Sequence, residues 1–168
     1  MIDLNDLLEQ VWPMATQQAV PTESVSLNNA LGRVLAQDVF SSLNVPQHDN
    51  SGMDGYAVCC TDIQPSRRFQ ISQRVPAGAS PQPLQPGTVA RIFTGAPIPP
   101  GADSVVMQED VVVNDDGSVT FSALPKSGQW IRRAGEDIAS GQVVLSQGTR
   151  LDAIHVGLLA SIGVPTVS

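Results

Sequence analysis

The chain has 168 residues, enough for one domain or two small ones, and a formal net charge of −7. Nine lysines and arginines are too few for the basic surface that neutralises nucleic-acid phosphates, so we expect no nucleic-acid partner. Hydrophobic residues make up 42%, and 14 glycines and 13 prolines spread along the chain favour turns and short strands over a helical bundle.

The first residues and the two cysteines indicate a cytoplasmic protein. The chain begins Met-Ile-Asp-Leu-Asn-Asp, with acidic residues where a signal peptide carries basic ones. No apolar run reaches the ~18 residues of a membrane span, so we expect no membrane partner. Cys59 and Cys60 are adjacent, an arrangement that rarely forms a disulfide and lacks metal-binding spacing. We interpret both as packing residues.

Two helices are predicted before residue 46. The first begins after Asp3, ends at Pro13, and has an apolar stripe at helical spacing. That stripe is formed by Leu4, Leu7, Leu8, Val11 and Trp12. The second begins near Ser26, and Gly32 weakens its helical propensity by roughly 1 kcal/mol. Its apolar face is formed by Leu27, Ala30, Leu31, Val34 and Leu35.

From Tyr56 onward the pattern is typical of β-structure, with short apolar runs separated by turns. The predicted strands lie at 56–58, 69–71, 89–93, 104–107, 111–113, 119–121 and 143–145. The sequence Asn-Asp-Asp-Gly at 114–117 predicts a hairpin turn. A last helix is predicted from Asp152 as N-cap to Gly163, and its apolar residues on most sides indicate that it is well buried.

Within the polar stretch from Pro46 to Gly55, the run that begins at His48 groups two carboxylates, an amide and a hydroxyl in one loop. Such a loop can gather oxygen ligands and backbone N–H groups around a hard cation or an anion. The alternative is that its side chains only hydrogen-bond their own backbone. A calcium-binding EF-hand is excluded, because Met53 and Cys60 occupy its fifth and twelfth ligand positions.

The whole run 46–58, here called the signature segment, resembles the MoeA family pattern Pro-x-x-Asp-Asn-Ser-x-Met-Asp-Gly-Tyr-Ala-Val. Residues 91–109 and 131–138 resemble the second and third blocks of that family, in the same order. Residues 157–164 resemble the helix before its pterin-binding domain. The chain thus resembles the N-terminal portion of the MoeA-type molybdopterin molybdenumtransferases, which are related to the gephyrin E domain.

This resemblance implies insertion of molybdate into adenylylated molybdopterin, with Mg²⁺-dependent hydrolysis of the adenylate. Family members are homodimers whose cleft lies between the pterin-binding domain of one subunit and the first two domains of the other. The matched positions predict catalytic roles for Asp54, Thr94 and Asp137, and metal binding by Asp54 and Asp137. The predicted cofactor-binding residues beside them are Ser51, Gly95, Glu136, Arg132 and Arg133.

These residue types suit a substrate that carries phosphate. Carboxylates hold Mg²⁺ directly or through water, and the ion offsets the charge of phosphate and molybdate. Gly95 permits close backbone approach. Arg132 and Arg133 are candidates to contact a phosphate. The alternative for both arginines is a salt bridge at the surface or in a dimer interface.

We expect a β-rich α+β fold, in which a small mixed α/β domain (1–45 with 134–168) carries an inserted, barrel-like β-rich domain (46–133). The abrupt end indicates a truncation before the pterin-binding domain, so we expect the chain to be inactive alone. The molybdopterin adenylyltransferase is a further candidate partner. Two alternatives remain open: a dimerisation or scaffold module, as in gephyrin, and an unrelated β-rich module that binds a divalent cation.

Overall fold

The computed structural model describes residues 3–17 and 21–168. Within these ranges the α-helices are α1 (Leu4–Gln17) and α2 (Ala153–Ser161), and neither has the length and hydropathy needed to cross a bilayer. The strands are β1 (Val25–Ser26), β2 (Val39–Phe40), β3 (Asn50–Ser51), β4 (Gly55–Val58), β5 (Arg68–Phe69), β6 (Ile71–Val75), β7 (Val89–Ile92), β8 (Ser104–Met107), β9 (Val111–Val113), β10 (Val119–Phe121), β11 (Ile131–Arg132), β12 (Val143–Leu145) and β13 (Thr166–Val167). This content confirms the predicted strand-rich α+β class.

The chain divides into two compact units, one of which is discontinuous in sequence. The first unit is Met1–Val39 with Leu145–Ser168, and the second is Phe40–Val144. The second unit extends past the predicted 46–133 at both ends, because its flanking segments bond to each other. Ser41 N donates to Gln142 O at 2.9 Å, and Val45 N donates to Ile138 O at 2.8 Å. Backbone pairing therefore decides where the units divide.

Besides α1, the first unit contains α2 and the antiparallel pair β1–β13. Asp152 and His155 form a capping box at the start of α2: Asp152 Oδ1 accepts from His155 N at 2.9 Å, and His155 Nδ1 accepts from Asp152 N at 3.3 Å. This confirms the predicted N-cap. The buried apolar residues of this unit are Leu27, Ala30, Leu35, Leu151, Leu159, Ile162 and Val167.

The prediction of a second helix near Ser26 is wrong. Only Leu27–Asn29 form a single 3₁₀ turn, and Val34 then pairs with Arg150 in an isolated β-bridge. Gly32 adopts a φ of +79°, in the left-handed region that ends a helix, and its N–H donates to Leu151 O at 2.7 Å. The segment exchanges helical hydrogen bonds for contacts with residues distant in sequence.

The two α-helices are more exposed than their apolar composition predicts. Asp3 Oδ1 accepts from Asn5 N at 3.4 Å and so caps α1, but the helix continues past Pro13 to Gln17, so the predicted end at Pro13 is wrong. Every side chain of the α1 stripe is between 47% and 71% exposed. In α2, Leu159 is buried but Ile154 is 80% exposed, so the prediction of a well-buried last helix is wrong.

The second unit is built on a four-stranded sheet in the order β6-β7-β4-β8. Strand β4 pairs antiparallel with β7 and β8, whereas β6 runs parallel to β7. A second sheet, β5-β10-β9, supplies Phe69 and Phe121, whose ring centroids lie 5.6 Å apart. Burial of each such side chain contributes about 1.5–3 kcal/mol. The main core cluster is Tyr56, Val58, Ile63, Phe69, Val89, Val106, Val119 and Phe121.

Two expectations for this unit have clear outcomes. The hairpin at 114–117 joins β9 to β10, with Asn114 N donating to Ser118 O at 2.8 Å and Gly117 at a φ of +78°, which confirms the turn. The strand orders of all sheets formed by the described residues are linear. The described strands of the inserted domain therefore form no closed barrel, unlike the barrel-like form that was expected.

Candidate functional site

The three sequence blocks converge within the second unit, held together by backbone hydrogen bonds. Ser51 N donates to Ala96 O at 2.9 Å, and Gly95 N donates to Ser51 O at 2.8 Å, which joins the signature segment to the second block. On the other side β3 pairs with β11, with Ser51 opposite Ile131. The signature segment therefore lies between the other two blocks, as three converging polar loops require.

Asp54 and Thr94, two of the predicted catalytic residues, bind each other directly. Asp54 Oδ1 accepts from both the backbone N and the hydroxyl Oγ1 of Thr94, each at 2.8 Å. The backbone hydrogen bond, and then the hydroxyl bond, lower the pKa of Asp54 below its usual value. The charge of Arg91 lowers this pKa further, as a smaller effect. The hydrogen bonds to the carboxylate thus come from neutral donors, and the described residues place none on its Oδ2.

Glycines on both sides of this pair allow the backbone to come close. A Cβ added to Gly55 would lie 2.0 Å from Val106 O, so no side chain fits at that position. Gly95 follows Thr94 with a φ of +79°, a conformation that residues with side chains rarely adopt. The turn that presents Asp54 to Thr94 therefore depends on glycine at two points.

Asp137, the third predicted catalytic residue, is bound by a cation instead. Its Oδ1 accepts a short hydrogen bond from Arg132 Nη2, and Glu136 Oε1 lies 3.7 Å from Arg132 Nε. Asp137, and then Glu136, raise the pKa of Arg132 above its usual value. No hydrogen bond between the described residues joins Asp137 to Asp54 or Thr94. The structure thus brings the first two residues together and holds the third with the predicted Arg132 and Glu136.

Asp49, which the sequence did not single out, joins all three blocks. Its carboxylate accepts from Arg133 Nη1 at 2.6 Å and from Ala134 N at 2.8 Å, and its backbone O accepts from Ile98 N at 2.9 Å. The bond from Ala134 is the main cause of the lowered pKa of Asp49. Its place in the signature segment was the available signal, but its long-range partners could not be identified from sequence.

Two predicted cofactor-binding residues have their groups committed internally. Ser51 is buried, and its hydroxyl donates to Met53 O within the same turn. Arg133 is engaged by Asp49, and its backbone N donates to Glu136 Oε2 at 2.9 Å. The contact of Ser51 matches the alternative that side chains of this loop only hydrogen-bond their own backbone. The contact of Arg133 matches the alternative of a salt bridge.

A polar cavity of about 360 Å³ adjoins the site. It is bordered by Gly95, next in sequence to Thr94, and by Asn50, whose buried Oδ1 finds no hydrogen-bond donor among the described residues. The other residues lining the cavity are Gln47, His48, Gly78, Ala79, Ser80 and Pro97. This cavity supplies hydrogen-bonding groups beside the Asp54–Thr94 pair without adding a charged carboxylate.

The donor set fits a hard cation better than a transition metal. Within the described ranges there is no group of three or more His, Cys, Asp or Glu residues positioned to hold a metal ion. Asp54 and Asp137 each keep an Oδ2 with no partner among those residues. Mg²⁺ is commonly bound through one or two carboxylates together with water and substrate phosphates, so these oxygens fit it. The cysteines take no part: both are half-buried free thiols, and burial raises the pKa of Cys60 to about 11.

Comparison with known proteins identifies the origin of this arrangement. The profile of the MoeA N-terminal region (domain I and II) matches residues 2–163. Molybdopterin molybdenumtransferase of Haemophilus influenzae is 48% identical over 162 residues, covering 96% of this chain and 39% of that protein. The Bacillus subtilis protein of the same name is 36% identical, with coverage of 96% and 42%. The chain thus spans about two fifths of the length of these relatives.

The fold agrees with a solved structure. The molybdopterin biosynthesis MoeA protein from Pyrococcus horikosii superposes with a TM-score of 0.87 and 31% sequence identity, over 99% of this chain and 44% of that one. A second structure of the MoeA protein from Pyrococcus horikoshii gives a TM-score of 0.78 at 34% identity over 88% of the chain. The profile match over nearly the whole chain and these similarities show that the chain belongs to the MoeA family, as its N-terminal region.

Proposed function

We propose that this chain is the N-terminal part of an enzyme of molybdenum cofactor biosynthesis that inserts molybdate into adenylylated molybdopterin. A relative at 48% identity carries the name molybdopterin molybdenumtransferase. The observation that carries the proposal is the contact between Asp54 and Thr94. Two residues separated by 40 positions, both at matched family positions, meet through two hydrogen bonds of 2.8 Å.

The chemistry of the site supports a highly anionic substrate with a metal ion. Asp54 stays ionised because Thr94 donates two hydrogen bonds to it, and its Oδ2 is open to a cation. Asp137 offers a second oxygen while Arg132 holds the first. Mg²⁺ bound by Asp54 and Asp137 would supply charge compensation for phosphate and molybdate. Thr94 and Arg132 would hold the two carboxylates in place through their Oδ1 atoms, leaving each Oδ2 for the ion.

The complete protein is proposed to act as a cytoplasmic homodimer, with the pterin held by a region outside this chain. The coverage supports a pterin-binding region outside this chain, because the chain corresponds to 39% of the Haemophilus influenzae relative. The molybdopterin adenylyltransferase is the proposed source of the substrate. We expect no molybdate insertion by the 168-residue chain alone. An in vitro assay with adenylylated molybdopterin, molybdate and Mg²⁺ tests this expectation. Formation of product by this chain would contradict it.

The proposal is tested by complementation of a strain that cannot insert molybdate, using the complete protein that contains this chain. Restored activity of a molybdenum enzyme is the expected result. The double variant Asp54→Ala/Asp137→Ala should remove complementation while the protein remains folded and abundant. Complementation by this double variant at the wild-type level would show that the two carboxylates are not at the active site. Failure of the wild-type protein to complement would reject the transferase assignment.

A scaffold role remains the second candidate, favoured by one observation. The α1 stripe keeps 47–71% of each side chain exposed, which is a large apolar surface for a 14-residue helix. If the chain served only to assemble partners, the double variant above would complement fully. Substitution of Leu4 and Leu8 by serine would instead abolish function.

A further inference from the structure

Arg132 and Arg133, the arginines that the sequence offered for phosphate contact, are neutralised within the protein. Arg132 is paired with Asp137 and approached by Glu136, and Arg133 is paired with Asp49. An arginine already bound to a carboxylate must lose that partner before it can bind a substrate anion with the same donors. These two arginines therefore act first as links between loops.

Arg74 and Arg91 differ from them because no described carboxylate lies within ion-pair distance of either, although the charge of Arg91 helps to lower the pKa of Asp54. They are directly opposite each other across the parallel strands β6 and β7. Among the described residues, neither guanidinium forms an ion pair with a carboxylate. Like charges directly opposite in a sheet destabilise it, so this unit retains two adjacent positive charges at some cost in stability. An anion that bound between them would remove that repulsion.

Phe93 provides a platform for both guanidinium groups. The Cζ atoms of Arg74 and Arg91 each lie 4.6 Å from the centroid of the Phe93 ring, and that of Arg91 lies 5.3 Å from the Tyr56 ring. Stacking on a ring face fixes a guanidinium without occupying its N–H donors. The two charged groups are thus oriented by aromatic contacts and not by ion pairs.

The remaining donors of the two arginines are unequal. Arg91 Nη1 donates to Gly55 O at 2.8 Å and to Ile92 O at 3.1 Å, and its Nη2 donates to Gln108, so its partners are all neutral. Arg74 is exposed, and its guanidinium makes no hydrogen bond to the described residues. Arg91 therefore contributes a fixed positive charge, and Arg74 contributes a guanidinium fork that is free to bind.

Phe93 immediately precedes Thr94, so this pair of cations borders the Asp54–Thr94 contact. We propose that Arg74 and Arg91, stacked on Phe93, bind a tetrahedral oxyanion, either a phosphate ester or molybdate, beside Asp54. The identity of that anion rests on the proposed function, whereas the site itself rests on the geometry of the arginines. The arrangement places a carboxylate that can bind a cation, Asp54, next to two arginines that can bind an anion. A phosphate-containing substrate that carries Mg²⁺ needs both.

The 168-residue chain is titrated at low ionic strength with inorganic phosphate, molybdate or adenosine monophosphate. Calorimetry and the Nε–Hε NMR signals of arginine monitor the binding. We expect saturable binding of at least one of the three, with shifts at Arg74 and Arg91, and weakening as salt increases. Tighter binding of the monophosphate than of phosphate would identify an ester as the ligand. Tighter binding of molybdate would identify the inorganic oxyanion.

The decisive variant is Arg74→Gln, since Arg74 is exposed and holds no other residue in place. We expect the dissociation constant to rise about tenfold, the effect of losing one charged hydrogen-bonding group, with partial recovery in Arg74→Lys. The matched control is Arg67→Gln. Arg67 is also exposed, also lacks an acidic partner among the described residues, and stacks on Phe69 at 5.1 Å, but it faces no second arginine in the sheet pairing.

Two results would overturn the oxyanion site: no saturable binding of any of the three anions, or equal weakening in Arg74→Gln and Arg67→Gln. The outcome is separable from that of the proposed function. Binding that is sensitive to Arg74 together with failed complementation would leave the site intact and reject the transferase. Successful complementation together with binding that ignores Arg74 would reject only this site.

Discussion

Asp54 and Asp137 are both predicted site carboxylates, but the protein holds them in opposite ways. Asp54 receives two hydrogen bonds from Thr94, which is neutral, and the charge of Arg91 acts on it only as a smaller effect without an ion pair, so most of the negative charge of the carboxylate remains available. Asp137 is bonded to Arg132, whose positive charge compensates it. A neutral donor fixes the geometry of a carboxylate and keeps its electrostatic potential, whereas a cation fixes the geometry and cancels much of that potential. Asp54 is therefore the stronger candidate to attract a metal ion.

The largest expected effect tests whether the Asp54 turn depends on a close backbone approach. Gly55→Ala places a Cβ 2.0 Å from Val106 O, so strands β4 and β8 must separate. We expect a loss of more than about 3 kcal/mol in the free energy of unfolding, measured by urea denaturation. Gly157→Ala is the control, since no atom lies within 4 Å of its added Cβ and alanine favours the helix. Equal stability of the two variants would contradict the packing argument.

The next effect separates the charge of Asp54 from its hydrogen bonds. In the complete protein, Asp54→Asn keeps an oxygen that accepts from Thr94 but removes the negative charge. We expect molybdate insertion to fall by about 100-fold or more, the scale of removing a preorganised charged group from an active site. The measurement is initial rate at saturating Mg²⁺, with circular dichroism to confirm folding. A rate within threefold of wild type would show that only the geometry of Asp54 matters.

Asp49 offers a smaller and pH-dependent test of the link between loops. Its pKa is lowered in the folded protein, chiefly by the Ala134 hydrogen bond, so its contribution to stability is present above the usual value of 3.8 and is lost as the pH falls through the lower folded value. We expect Asp49→Asn to destabilise the chain by about 1 kcal/mol at pH 7, discounted for its partial exposure.

The difference in unfolding free energy between wild type and Asp49→Asn should stay nearly constant from pH 5 to about 3.8, and should shrink as the pH falls further through the lowered pKa of folded Asp49, below which both side chains are uncharged. In an NMR pH titration of the folded chain, the chemical shift of the Ala134 amide proton should follow the ionisation of Asp49. A difference that stays constant below about pH 3.8 would mean that the contacts of Asp49 with Arg133 and Ala134 do not stabilise its charged form.

The smallest effect concerns the compensated carboxylate. Arg132→Gln removes the cation that competes for Asp137, so the affinity of the chain for Mg²⁺ should rise about threefold, within the range of a solvent-exposed ion pair. Calorimetric titration with Mg²⁺ measures it. Arg33→Gln is the control, because it breaks the ion pair with Glu23 in the other unit. Weaker Mg²⁺ binding in Arg132→Gln alone would mean that Arg132 positions Asp137 more than it competes for it.

Local patterns predicted those elements whose residues satisfy one another nearby in sequence. The hairpin at 114–117 and the Asp152 cap follow from short-range chemistry, and both are confirmed. The second helix failed because Gly32 and its neighbours bond to residues 149–151, which no local pattern reveals. The burial of α2 failed for the same reason, since an apolar composition does not say which faces find a partner.

The sequence by itself determined the family and the strand-rich class, and it supplied the candidate site residues as a prediction, because these follow from residue types in a fixed order. Only the tertiary structure decided which charges are cancelled and which are left exposed. Arg132 and Arg133 meet carboxylates, whereas Arg74 and Arg91 meet each other and an aromatic ring. Coulomb interactions depend on distances in space, and pairing between distant strands sets those distances.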